Sequence, residues 1–596
     1  MNLFKNYIKI YFRRFRKDTV HFLVNILGLG LGFSILFFIL MFVYDEQNID
    51  QFHSKKNQVF RVIVDEKGED GTHEYVSTPG PLADALVDYF PGVVSAAHMS
   101  CTGSQVIQVG DVMISDREWA FVTKNIFDIL DIKILDGNPK KPFQGEAGLV
   151  ITPDAAKRLF GHTDVVGETV DRSRFGDNLE VLAIMEQLPR NSTYQFSELY
   201  VVNYDRWSEG WKRYSESWEG NFTMTWVLLD EHASPKDIYS DKDAFLSQYY
   251  SDEELQSRDF HLQSLTDIHL ESMKIEQGGM AVRPFIPSSS SQFVSIILLL
   301  GFLVLFIASL NYINLSSVQA LKRTLEASMR KINGARNKDL LQQLFFETLI
   351  TILIAYALAI CLVILCFPVF LSIANKDFTQ SLLFSEDFII YHIAAILIIW
   401  MFSALVPAIY YSRLERSVLI LKNAFSGKGD FLRKVLVGVQ YGLSIFLIIG
   451  SIIIYRQLNY VQSKDLGFDR KKLITLDINS REARSNFKNV LQEIKKNANV
   501  TNATVSSRVP GEWKNIPSVR VGKNLTDEMN TFSHYGIEKG WLETFDIKLY
   551  EGKNFSGIDA TDSLHILVNQ KAVSALSLNN PIGSSVWLGS NDDTAF

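Results

Sequence analysis

Bond chemistry needs reactive side chains at set spacings, and this chain of 596 residues offers few of them. His53, His73, His98, His162, His232, His261 and His269 show neither an H-E-x-x-H pattern nor a paired i, i+4 spacing, so no histidine metal site is expected. The carboxylates Asp65-Glu66 and Glu69-Asp70 flank Gly68 and read as a solvated turn rather than a calcium loop. No serine carries the sequence of a nucleophile elbow. Gly427-Lys428-Gly429 lacks the upstream glycine and the hydroxyl of a phosphate loop. Cys361 and Cys366 lie in an apolar run and Cys101 stands alone, so no disulfide framework is available. The expectations are no catalytic residue, no metal and no directly bound cofactor.

One stretch could act on a partner instead. Leu315–Ile350, LSSVQALKRTLEASMRKINGARNKDLLQQLFFETLI, is basic and amphipathic and is wedged between two apolar runs. Its cations are Lys322, Arg323, Arg330, Lys331, Arg336 and Lys338. Charge alone allows two readings, a loop that only enforces topology and a docking surface. A dense set of aromatics, Trp207, Trp211, Trp218 and Trp226, reads as core packing, with an exposed patch for an amphipathic ligand or partner as the alternative.

The elements that position these residues follow from hydropathy. The hydrophobic fraction is 47% beside 21% charged residues, because apolar and polar blocks alternate. The net charge of −7 therefore says little about partners, and nothing points to nucleic acid. A bilayer core takes about 20 apolar residues as a helix. Five stretches qualify: Phe22–Val43, Phe293–Leu310, Thr348–Phe370, Phe388–Ile409 and Val435–Ile454. The first is too long for a signal-peptide core and is followed by YDEQNID rather than a cleavage site. Lys5, Lys9, Arg13, Arg14, Arg16 and Lys17 precede it; Arg413, Arg416, Lys422, Lys428, Arg433 and Lys434 separate the fourth and fifth spans. The loop between the third and fourth, Ser372–Asp387, has only Lys376. The positive-inside rule then expects a cytoplasmic N-terminus, with 45–291 and 456–596 outside. Phe4, Ile8, Tyr11, Phe12 and Phe15 share one helical face, so residues 1–20 read as a helix lying in the bilayer interface.

The expected organisation is an interfacial helix (1–20), a first span (21–44), an external domain (45–291), a region of three spans (292–412) enclosing a cytoplasmic helix at 315–345, a linker (413–434), a fifth span (435–455) and a second external domain (456–596). In the first domain VFRVIVDE (59–66) and LEVLAIME (179–186) read as strands. TPGPLADALVDYFPGV (78–93) and ITPDAAKRLFG (151–161) read as turn-started helices, the second stopped by Gly161. That makes an α+β domain of two subdomains, with Ser288–Ser291 as a polar hinge before the second span.

The chain repeats itself. Gly28-x-x-x-Gly32 with Phe33-Ser34-Ile35 matches Gly438-x-x-x-Gly442 with Leu443-Ser444-Ile445. IFDILDIKILDGNP (126–139) matches WLETFDIKLYEGKN (541–554), and VITPDAAKRLFGHTDVVGETV (150–170) matches LVNQKAVSALSLNNPIGSSV (567–586). Two copies of one cassette are expected, the second stopping at Phe596 with roughly 200 residues and three spans absent by the repeat arithmetic. The small-residue pairs let helices approach closely. Their recurrence leads to the expectation that span one packs on span five.

Glu326–Ala335, EASMRKINGA, resembles the E-I-G-[IV]-R-K-x-x-G-A segment of the FtsX/MacB-like permeases of ABC transporters. Asn314-Leu315-Ser316, Gln343, Glu347, TPGPLA (78–83), LTDIHL (265–270) and LNYVQSKDLGFD (458–469) fit the same pattern; Ser328 departs from the usual glycine. The resemblance covers nearly the whole chain and is closest to the long, duplicated permeases of the family. It implies helical spans carrying MacB-like periplasmic core domains in a bacterial inner membrane. It also implies an ATPase-coupling role for Glu326, Arg330, Lys331, Gly334, Ala335, Arg336 and Lys338. ATP and magnesium would sit on a separate ABC ATPase subunit, two copies per complete permease. The implied work is mechanotransmission and efflux of an amphipathic molecule, peptide or lipoprotein, with a periplasmic adaptor and outer-membrane channel as further partners. The alternative is an FtsX-like regulator that activates a periplasmic cell-wall hydrolase.

Overall fold

The computed structural model describes the chain apart from residues 1, 69–70, 102–104, 110–111, 117, 144, 146, 173–176, 203–211, 213–214, 279–280, 283, 323–335, 377, 414–427, 469–471, 479–480, 511–517, 523–529 and 590–596. Six long helices dominate it: α1 (Asn2–Lys17), α2 (Thr19–Gln47), α3 (Ser291–Lys322), α4 (Asn337–Ala374), α5 (Glu386–Arg413) and α6 (Lys428–Ser463). The last five are long and apolar enough to cross a membrane. The helix α2 lies against both α3 and α4, α5 packs on both of these, and α6 touches α3.

Between α2 and α3 stands a sheet of 13 strands. They are β1 (Val59–Gly68), β2 (Gly71–Tyr75), β3 (Val93–Ser100), β4 (Gln105–Val109), β5 (Val112–Asp116), β6 (Trp119–Val122) and β7 (Ile134–Gly137). After them come β8 (Ala147–Ile151), β9 (Thr169–Arg172), β10 (Asp177–Met185), β11 (Glu198–Val202), β12 (Met224–Leu229) and β13 (Arg258–Ser264). The order is β13-β1-β12-β3-β6-β11-β8-β10-β9-β4-β5, with β2 beside β1 and β7 beside β10. Pairing is antiparallel except at β8/β10 and β6/β11. The two halves expected of this domain share one sheet. One core, which includes Val59, Met99, Val122, Val150, Leu199 and Trp226, runs across both halves of the sheet. Separate clusters then pack Leu82, Leu86, Phe245 and Phe260 on one half, and Ala155, Leu159, Leu179 and Tyr200 on the other.

Local chemistry explains the short helices. Thr152 caps Pro153–Phe160 by accepting from the Ala155 N–H, and Gly161 ends that helix at φ 82°. Asn569 caps Gln570–Ala575 in the same way through Ala572 N–H, and Ser577 takes positive φ where Gly161 stands in the first stretch. Gly137 and Gly552, and Gly167 and Gly583, also share positive φ. The backbone thus repeats the devices that the matched sequence segments predict. The second region adds a small sheet of β14 (Ser518–Gly522), β15 (Asn530–Ser533) and β16 (Trp587–Gly589).

Two features of the first domain depart from the sequence reading. Asp65 and Glu66 lie in β1, not in a turn, because β1 and β2 form a hairpin pairing Asp65 with Glu74. Arg61, inside an apolar run, is fully buried. It donates to Gln263 Oε1 at 3.0 and 2.6 Å, to Tyr194 Oη at 2.9 Å and to Ser272 Oγ at 2.8 Å. A guanidinium with its donors satisfied can sit in a core that would reject it unpaired.

The domain is expected to lose stability in mild acid. Burial lowers His98 and His53 to about 4 each, so both are neutral in the fold. Unfolded, each titrates near 6.5, so the unfolded state takes protons first. Stability is full above that pH and falls as pH drops toward 4, by about 2–3 kcal/mol per histidine. His261 works the other way: its bond to Asp65 raises it, so its contribution is full in acid and fades as pH rises. Among these histidines, two against one give net acid lability between pH 7 and pH 5. The urea midpoint of the full chain, followed by tryptophan fluorescence at pH 7 and pH 5, checks this; His98→Gln should remove about half of the loss.

Candidate coupling site

The basic stretch is built as the junction of two span helices. The helix α3 continues past its apolar part to Lys322, and α4 starts at Asn337, well before its own apolar part. Residues 323–335 join them. Glu326, Arg330, Lys331, Gly334 and Ala335 fall in that stretch and lie outside the described residues. Arg336 and Lys338, at the start of α4, are exposed. The Asp339 carboxylate accepts the Arg336 N–H at 3.1 Å, which closes the first turn of α4 and places an anion at its positive end. Force applied between 322 and 337 therefore reaches two helices that both lie against α2.

The first turns of α4 are held on three sides. From α1, Arg14 forms an ion pair with Glu347, and Tyr11 Oη lies 3.2 Å from Thr351 Oγ1. From α3, Tyr312 donates to Thr348 at 3.3 Å. From α5, the Trp400 indole donates to the Phe345 carbonyl at 2.9 Å. Gln343 donates to Glu347 at 2.7 Å, so both motif residues belong to one buried polar cluster. Tyr11 is fully buried, with Phe22 edge-on at 5.3 Å. Lys5, Lys9, Arg13, Arg16 and Lys17 stay exposed, as does Phe12. The helix α1 is amphipathic, and part of its apolar side grips the base of α4.

The glycines define the groove around α2. A side-chain carbon on Gly32 would come within 2.9 Å of Ala308 Cβ, and one on Gly28 within 3.7 Å of Asn311. Gly30 meets Ala355 and Leu358 of α4. The expectation that span one packs on span five is therefore corrected: Gly28 and Gly32 face span two. Ala308 presents the small surface that a close approach needs. Around Gly438 and Gly442 nothing lies within 4 Å, and α6 meets α3 through Asn314 donating to Gln440 at 3.1 Å.

One other group of side chains, among the described residues, has the makeup of a metal site. Asp65, Glu74 and His261 could offer ligand atoms within 4.8 Å of one another. The His261–Asp65 ion pair at 3.0 Å accounts for two of the three without a cation. Trp226 is core; Trp218 stacks on Tyr249 at 3.9 Å; Trp207 and Trp211 lie outside the described residues.

Comparison with known proteins matches residues 22–241 to the MacB-like periplasmic core domain and 298–416 to the FtsX-like permease C-terminal region. No curated protein matches the chain. Among solved structures, a domain of a candidate permease from Porphyromonas gingivalis is 16% identical, covering 36% of this chain and 92% of that one, with a TM-score of 0.30. The periplasmic region of MacB from Actinobacillus actinomycetemcomitans is 12% identical, covering 36% and 91%, with a TM-score of 0.26. The extracellular domain of the noncanonic ABC-type transporter YknZ from Gram-positive bacteria is 13% identical, covering 34% and 99%, with a TM-score of 0.22.

Proposed function

The chain belongs to the FtsX/MacB-like permeases of ABC transporters, and from that membership we propose that it passes the motion of a separate ATPase subunit to the sheet domain. The ATPase engages 323–335 on the cytoplasmic side, and the sheet domain works in the periplasm. The observation that carries this reading is the continuity of α3 and α4 with that stretch. Both helices lie against α2, which leads into the sheet domain, and this packing supports a path for displacement from the basic end to that domain.

The reaction on ATP, with its magnesium, is assigned to the partner. This chain supplies the cations that dock it: Arg330, Lys331, Arg336 and Lys338. An amphipathic molecule, a peptide or a lipoprotein handled on the periplasmic side is the cargo this arrangement suits, since the substrate then never threads the spans. A periplasmic adaptor and an outer-membrane channel would complete an efflux route. The test is retention of the cognate ATPase after charge reversal at Arg330 and Lys331.

A further inference from the structure

The LTDIHL stretch has no part in the coupling site, yet its histidine sits at the opposite end of the spans in a buried charge cluster. His269 Nε2 lies 3.0 Å from Glu46 Oε2, in the last turn of α2. The other oxygen of Glu46 lies 2.5 Å from Lys376 Nζ, in the loop that follows α4. Lys376 also pairs with Asp45 at 2.7 Å and lies over the Phe42 ring at 5.3 Å. The hinge before α3 joins in: the Ser289 N–H donates to the His269 carbonyl at 2.7 Å. Glu46 and His269 are 4% and 3% exposed. Glu46 thus ties span one to the sheet domain and to the loop after span three, and His269 holds the hinge before span two.

Asp50 extends the junction toward the sheet domain. His269 Nδ1 and Asp50 Oδ2 are buried with no hydrogen-bond partner among the described residues. Asp50 Oδ1 accepts the Thr193 N–H at 2.8 Å and so belongs to the seat of the sheet domain on the chain leaving α2.

We infer that Glu46, His269 and Lys376 form the joint that passes displacement of the spans to the sheet domain, with His269 as the domain's positioning residue. Its purpose rests on the coupling reading above. Its existence as a fixed joint does not, and the test uses the chain alone, without an ATPase.

The full chain, with its three cysteines replaced by serine, is placed in lipid nanodiscs. Spin labels go on Lys157 in the sheet domain and Ser372 near the end of α4, both exposed. Pulsed electron-electron resonance should give one narrow distance distribution. Glu46→Gln, Lys376→Met and His269→Ala should each broaden it, with the sheet domain's own melting unchanged. Tyr44→Phe, which removes a 3.0 Å bond from span one to Asp387 at the same end, should leave it narrow. If His269→Ala unfolds the domain, Glu46→Gln and Lys376→Met decide, since neither alters the domain's sequence. Distributions that stay narrow in those two variants, or that broaden equally in Tyr44→Phe, overturn the joint.

Discussion

Glutamate at both Arg330 and Lys331 abolishes co-purification of the ATPase while the permease still inserts in the membrane. The two substitutions take the local charge from +2 to −2 within a segment that holds four cations over nine residues. A docking groove that accepts these cations must present acidic groups, and like charges then face each other across the contact. Breaking one desolvated charge pair costs about 2–5 kcal/mol. A loss of about 4 kcal/mol lowers affinity roughly a thousandfold, enough to empty the complex during washing. Insertion should be unaffected, because Arg336, Lys338 and the cations before α2 still mark the cytoplasmic side. Pull-down of the tagged permease from detergent extract, scored for ATPase, gives the answer. Full retention of the ATPase would remove the coupling role from these residues, whatever transport then shows.

The sequence announced some of this architecture and concealed the rest for physical reasons. Spans, strands and caps are local: twenty apolar residues, an alternating β-branched run or a Thr-Pro-Asp start each depends on near neighbours. VFRVIVDE and LEVLAIME accordingly lie in β1 and β10. The length of α4 is less legible, because its first turns are polar. They are helical through what α1, α3 and α5 place against them, by way of Arg14, Tyr312 and Trp400. Arg61 reads as an interruption in a strand, yet it organises a buried network with residues far along the chain. Glu46 gives no sign of its role either. It stands in an acidic run at the end of a span, and its partners lie 223 residues away at His269 and further still at Lys376. Long-range pairing of single polar side chains has no period to read. Residues 323–335 carry most of the coupling motif, so its assignment rests on residue types and on the described helices at either side.

Leucine at Gly32 damages the bundle and leucine at Gly442 does not, although the two glycines occupy matching places in the repeat. At Gly32 even the first carbon would lie 2.9 Å from Ala308 Cβ and 3.4 Å from Leu305 Cδ1, with the α3 backbone at Leu305 behind them at 3.7 Å. A helix backbone cannot step aside as a side-chain tip can, so α2 and α3 must separate. Overpacking of this kind costs about 1–3 kcal/mol. Inside a bilayer the loss is hard to recover, because helix association there depends on close packing rather than on excluding water. Separation would also weaken the proposed path from the basic stretch, which runs through α3 and α4. At Gly442 nothing lies within 4 Å, so a leucine there projects into open space beside α6. The expected outcome is a lowered melting temperature for Gly32→Leu in nanodiscs and an unchanged one for Gly442→Leu. ATPase activity in the assembled complex should lose its dependence on the permease only in the first variant. Equal damage from both substitutions would mean that α6 is packed along its glycine face as tightly as α2, and the contrast between the two glycine pairs would fall.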